Sequence, residues 1–212
     1  MPAVNVRENV LRLWGEIFMN ILRKLSRIIF GNQEQDQTVN SIIICVGIGN
    51  LDVVADKLPP QEFTELLQAI NNLIEITIGK YNGIATSHNL GIIYAAIPVS
   101  ALHSDGNQLV LILRELWSNI NKIYPKHLLS GMQPFLSVGV EIGVCLVSVK
   151  NPLVLGDTVI NARKICKYAM DSNSGILISS NVVNNFPLLK NKIIAYGVVP
   201  EGGKGQVFAF NL

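Results

Sequence analysis

The chain has 212 residues, room for one domain of ordinary size plus an extension, and such a domain buries a full core without staples. Hydrophobic residues make up 49% of it and charged residues only 15%, so it is more apolar than an average soluble domain and part of that surplus must be covered. A formal net charge of +2, with no basic run interleaved with aromatics, argues against a nucleic-acid partner.

The first thirty residues form a unit of their own. From Val10 to Phe30 the apolar residues Leu11, Trp14, Phe18, Ile21, Leu25 and Ile28 recur at spacings of three and four, with Val10, Ile17 and Leu22 widening the stripe. That spacing predicts an amphipathic helix over 1–30. Charges at Arg12, Glu16, Arg23 and Arg27 interrupt it too often for a spanning helix, which needs about 20 largely apolar residues. No small-residue cleavage site follows, so it is not read as a secretory signal. Two uses fit equally. Arg7, Arg12, Arg23, Lys24 and Arg27 outnumber Glu8 and Glu16, which suits the cytoplasmic face of an anionic membrane. The same three-four series also fits a seam that docks on a larger protein assembly. The polar octet GNQEQDQT, residues 31–38, reads as a linker, and residues 39–212 as one domain.

Within that domain SIIICVGI, from Ser41, is a continuous β-branched run expected of a central strand buried on both faces. Pro59 and Pro60 open a helix carrying Phe63, Leu66, Leu67, Ile70, Leu73, Ile74 and Ile78 until Asn82-Gly83 stops it. Short strands are predicted over 84–87 and 91–98, a helix over 108–124, and two strands meeting near Glu141 to Gly143 within 135–149. A third helix over 158–169 and strands over 176–179, 193–198 and 206–210 complete the series. Helices packed on an antiparallel-rich sheet make an α+β sandwich. Cys45, Cys145 and Cys166 are odd in number and lack metal-ligand spacing, so each is read as a reduced, buried residue of a cytoplasmic protein. His88, His103 and His127 form no metal pattern, and no cofactor signature is present.

Five segments, LDVVADKLPPQEFTELLQAI from Leu51, GVEIGVCLVSV from Gly139, GDTVINARKIC from Gly156, GILISSNV from Gly175 and GGKGQVFAF from Gly202, occur in the order and spacing of one family. Over residues 41–212 the chain resembles the catalytic domain of class III adenylyl and guanylyl cyclases, which implies their ferredoxin-like core. Those enzymes cyclise a nucleoside triphosphate with two divalent ions held by two aspartates. By the resemblance one aspartate position falls at Gly47, and the other at Gly91, or at Leu90 with one residue deleted. Asp52 and Asp56, nearby, read as helix-cap or solvated residues. The asparagine and arginine that stabilise the transition state fall at Ile160 and Lys164, while Asn161 and Arg163 carry the right types one position away. One residue turns a helix by about 100 degrees. The base-reading positions fall at Ser87 and Leu153, and of the basic closing loop only Lys204 remains as a candidate phosphate contact.

Taken on these residues, the chain is expected not to be an enzyme. It is expected to be an interaction module, a scaffold, subunit or regulator, without metal or cofactor. A nucleotide or small-ligand sensor is the alternative. Because class III domains pair head to tail, a homodimer or a heterodimer with a related domain is expected, with Leu51, Leu153 and Ile160 at the contact.

Overall fold

The structure, a computed structural model, describes residues 37–89, 91–102, 106–123, 136–148, 152–199 and 205–210. The stripe of Leu11, Trp14, Phe18, Ile21, Leu25 and Ile28 lies outside the described residues, as do Leu90, His103, His127 and Lys204.

Strand β1, Gln37–Ile48, is the long apolar run. It is centrally placed between β3, Ile92–Pro98, and β4, Leu136–Ser148, and pairs antiparallel with both. Its alternation divides the run between two cores. Ile42, Ile44 and Val46 face one side, and Ile43 and Cys45 the other. A strand with helices on both faces has no wet side, which is why no polar alternation shows in SIIICVGI. The strand begins inside the octet read as a linker: Gln37 and Thr38 pair with Val147 and Leu146. Polar composition did not stop these residues from joining the sheet, because β4 extends far enough to bond their backbone.

After a short helix α1, Leu51–Lys57, that sequence patterning did not separate, α2 runs from Pro60 to Gly79. It buries Leu66, Ile70, Ile74 and Ile78, and ends where Asn82 takes a left-handed φ of 56°. The hairpin of β2, Ile84–Asn89, and β3 leads to α3, Asn107–Ile123, whose Leu109, Ile112, Leu113, Leu116 and Ile120 join the α2 side of the core.

Residues 136–148 form one strand, not the two expected to meet near Glu141 to Gly143. A glutamate between glycines looks like a turn, but here Glu141 is 2% exposed and bonded within the fold, and the β1 pairing passes through it without a break. A short β5, Leu153–Leu155, folds back on β4. Helix α4, Asp157–Asp171, then packs on the face of the sheet opposite α2 and α3, through Val159, Ala162 and Cys166. Gly139 makes this possible, since a Cβ there would overlap the backbone of Ala162 and Cys166.

Strand β6, Ile176–Ser179, pairs parallel with β4, and α5, Ser180–Asn185, follows it, capped by Ser179 Oγ, which accepts from Val182 N at 3.3 Å. Strands β7, Ile193–Val198, and β8, Gln206–Phe210, close the series. The order across the sheet is β2-β3-β1-β4-β6-β8-β7, with β5 attached to β4. This is the α+β sandwich expected from the sequence, with a mixed but mainly antiparallel sheet.

Candidate functional site

Chain reversal at the end of β1 brings the two positions of interest together. Asn50 adopts a left-handed φ of 57° before α1, and Gly91 turns the β2–β3 hairpin with φ 81°. Ile48 N donates to Gly91 O at 2.9 Å, and Gly47 pairs with Ile92. Gly47 and Gly91 therefore lie on neighbouring strands at one end of the sheet.

Neither position offers an oxygen ligand, and the space beside each is filled. A Cβ at Gly47 would fall 2.6 Å from Met170 Sδ and 2.9 Å from Cys166 Sγ, both from α4. At Gly91 the Leu51 side chain lies where a Cβ would go. Asp52 and Asp56 are exposed on α1. Among the described residues no group of three or more His, Cys, Asp or Glu side chains could hold a metal ion.

Helix α4 starts after Gly156, with Asp157 in its first turn, where a carboxylate suits the helix dipole. Ile160 is exposed, Asn161 and Lys164 are half-buried, and Arg163 is exposed. Ile160 and Lys164, four apart, lie on one face, which Arg163 and Asn161, each three residues from one of them, flank on either side. Arg163 acts on the sheet below: its charge favours the ionised forms of Cys45 and Tyr94. Stronger influences oppose it. A hydrogen bond with the Cys166 thiol, then burial, hold the Cys45 thiol well above its ordinary pKa, and burial followed by the nearby Cys45 raises the Tyr94 phenol. Burial likewise raises Cys145. The three cysteines are buried and free, as the sequence suggested. Ser87 is exposed on β2, and Leu153 is half-buried on β5 opposite Ser148.

Two constellations went unread in the sequence. One is the sulfur group at Gly47. The other surrounds Glu141, whose Oε1 accepts from Ser179 Oγ at 2.7 Å, Asn181 Nδ2 at 3.2 Å and Ile142 N at 2.9 Å, while Oε2 is buried without a partner. Its only sequence signal is a charged residue inside an apolar β run.

No family model and no curated protein match the sequence. Solved structures do match. A match to a bacterial light-regulated adenylyl cyclase has a TM-score of 0.66 at 15% identity and covers 100% of this chain and 66% of that one, just under two thirds of its length. Against the adenylyl cyclase CyaB from P. aeruginosa the TM-score is 0.61 at 15% identity, over 83% of this chain and 95% of that one. Against a non-canonical dimeric guanylyl cyclase domain of the RhoGC fusion protein from the aquatic fungus Blastocladiella emersonii it is 0.59 at 15% identity, over 82% and 95%. The described domain thus has the fold of class III cyclase catalytic domains. These matches also correct the expectation that the chain is not an enzyme, which rested on missing side chains alone: the fold it shares is that of adenylyl and guanylyl cyclases.

Proposed function

We propose that the chain is one partner of a cyclase-fold heterodimer, docking head to tail on a related domain that supplies the two carboxylates and lending α4 to the composite site. The observation that carries this reading is exposed apolar surface at the edge of the sheet where that helix starts. Val144, Leu155 and Ile160 are 60%, 46% and 54% exposed. Leu155 directly precedes Gly156 and Ile160 follows on the first turns of α4, while the pairing of Val144 and Leu155 turns both to the sheet face away from that helix; Thr158 Oγ1 ties the start of α4 to Val144 O at 3.0 Å. Exposed apolar surface of this kind favours a partner, at about 25 cal/mol per Å² of apolar area removed from water.

Of the three residues expected at the contact, Ile160 alone belongs to this patch. Leu51 packs against the core and over Gly91, and Leu153 is half-buried. The matched fungal domain is a non-canonical dimer in one crystal structure and a monomer in another, so the head-to-tail arrangement rests on the exposed apolar residues of this chain. In the pair, Asn161 and Arg163 are the residues of α4 nearest in type to those that stabilise charge on phosphorus. Residues 1–30 are the attachment segment of this proposal, to an anionic membrane surface or a larger assembly, supported by their apolar stripe and excess of basic residues. No helix among the described residues is long and apolar enough to cross a membrane.

Sedimentation of the full chain mixed with class III domains from the same genome tests the pairing. A mixed dimer is expected, and Ile160→Asp should weaken it at least about tenfold, or about 1.4 kcal/mol. Cyclic AMP or cyclic GMP, assayed with ATP or GTP and Mn²⁺, is expected from fractions holding the intact pair and should fall with dimer content. Association unchanged by Ile160→Asp, or no mixed dimer with any such domain, would sink the proposal.

A further inference from the structure

Three sulfur-bearing side chains from two elements, Cys45, Cys166 and Met170, share one cluster where β1 ends beneath α4. Cys45 and Gly47, two apart on a strand, point to one face of the sheet. Cys166 and Met170, four apart on a helix, project from one face of α4 toward it. Because Gly47 has no side chain, Met170 Sδ and Cys166 Sγ both settle beside it, 2.6 and 2.9 Å from where its Cβ would stand. Cys45 and Cys166 belong to one buried cluster against which Met170 packs, and Cys166 Sγ donates to Ser137 O at 3.4 Å. The walls are apolar, from Ile43, Ile92, Tyr94 and Ala162. Two of the three cysteines of the chain are therefore brought to one point together with a thioether.

We propose that Cys45, Cys166 and Met170 form a binding site for one soft monovalent cation of the Cu(I) class. The donor set selects the ion. Magnesium and calcium require oxygen ligands, and structural zinc takes four nitrogen or sulfur ligands. No histidine, aspartate or glutamate among the described residues completes a group of three metal ligands with these cysteines. Cu(I) is bound by thiolate and thioether sulfur. A single thiolate balances its charge, so the buried complex is neutral and avoids the cost of an unpaired ion in an apolar setting. As the ion binds, a thiol gives its proton to solvent and the sulfur takes the metal in its place. The site stands independently of the pairing proposed above, since it lies within one chain.

Full-length reduced protein titrated anaerobically with Cu(I) bicinchoninate, whose colour fades as the ion is transferred, tests the site. Uptake of one Cu(I) per chain is expected, with sulfur-only ligation by X-ray absorption. Cys45→Ser and Cys166→Ser should each weaken binding by about a hundredfold, and Met170→Leu, which keeps the volume, by about tenfold. Cys145→Ser should leave it unchanged. Cys166→Ala serves beside Cys166→Ser, and circular dichroism confirms that each variant is folded. Failure of the reduced protein to take Cu(I) from the chelator overturns the proposal. So does binding that survives both folded cysteine variants, or a reduced protein that yields only a Cys45–Cys166 disulfide under oxidant and binds no metal.

Discussion

Gly139→Ala is expected to lower the melting temperature of the protein by about 6–12 °C, the equivalent of about 3 kcal/mol for a domain of this size. The added methyl would collide with the backbone of α4 at Ala162 and Cys166, and backbone cannot turn aside as a side chain can. The helix must lift from the sheet, loosening Val159, Ala162 and Cys166 from Ile43 and Cys45. Gly143→Ala provides the contrast. Its Cβ would meet the Thr158 side chain, 2.7 Å from Oγ1, which can rotate at the cost of its hydrogen bond to Val144 O. A loss of about 1 kcal/mol is expected there. Thermal unfolding followed by circular dichroism ranks the two, and equal losses would show that α4 does not rest on Gly139 as described.

The second large effect is expected at Glu141. Glu141→Ala removes the oxygen that accepts from Ser179, Asn181 and Ile142, leaving buried donors that each cost about 1–3 kcal/mol when unsatisfied. A total near 3 kcal/mol is expected. Glu141→Gln keeps one acceptor oxygen in nearly the same place and should recover most of the loss. Urea unfolding of the two variants checks this. If glutamine is as damaging as alanine, the hydrogen bonds to Oε1 are not what holds the strand, and the position serves packing alone.

Glu141 also shows where sequence reading stops. Strands over 176–179, 193–198 and 206–210 were legible to the residue, because each is a short apolar or alternating run between turn-prone neighbours. Helices α2, α3 and α4 were legible within two residues, from repeats of three and four. The continuous strand through Glu141 was not. What makes a charged residue tolerable there is Ser179 and Asn181, which a local window never sees beside it. Short β5 and α1 were missed for the opposite reason: three and seven residues are too few to display a period. At the candidate site, Gly47 and Gly91 could be located by resemblance, and their neighbourhood on adjacent strands follows from the β1–β3 pairing. That Cys166 and Met170 fill the space at Gly47 could not be read, since it depends on the depth to which α4 settles over Gly139.

Pairing of β1 with β4 has a bearing on how the chain is made. Ile42 faces Ile142, about 100 residues further along, so the centre of the sheet cannot close until most of the domain has left the ribosome. Until then SIIICVGI, the most apolar stretch of the domain, can be shielded on one edge only by β3, once residues 92–98 emerge. Contacts this distant in sequence fold slowly, because the loop entropy is lost before the pairing returns it. The nascent chain is therefore exposed to aggregation through β1 during synthesis, and its yield should depend on chaperones that hold β1 until β4 arrives.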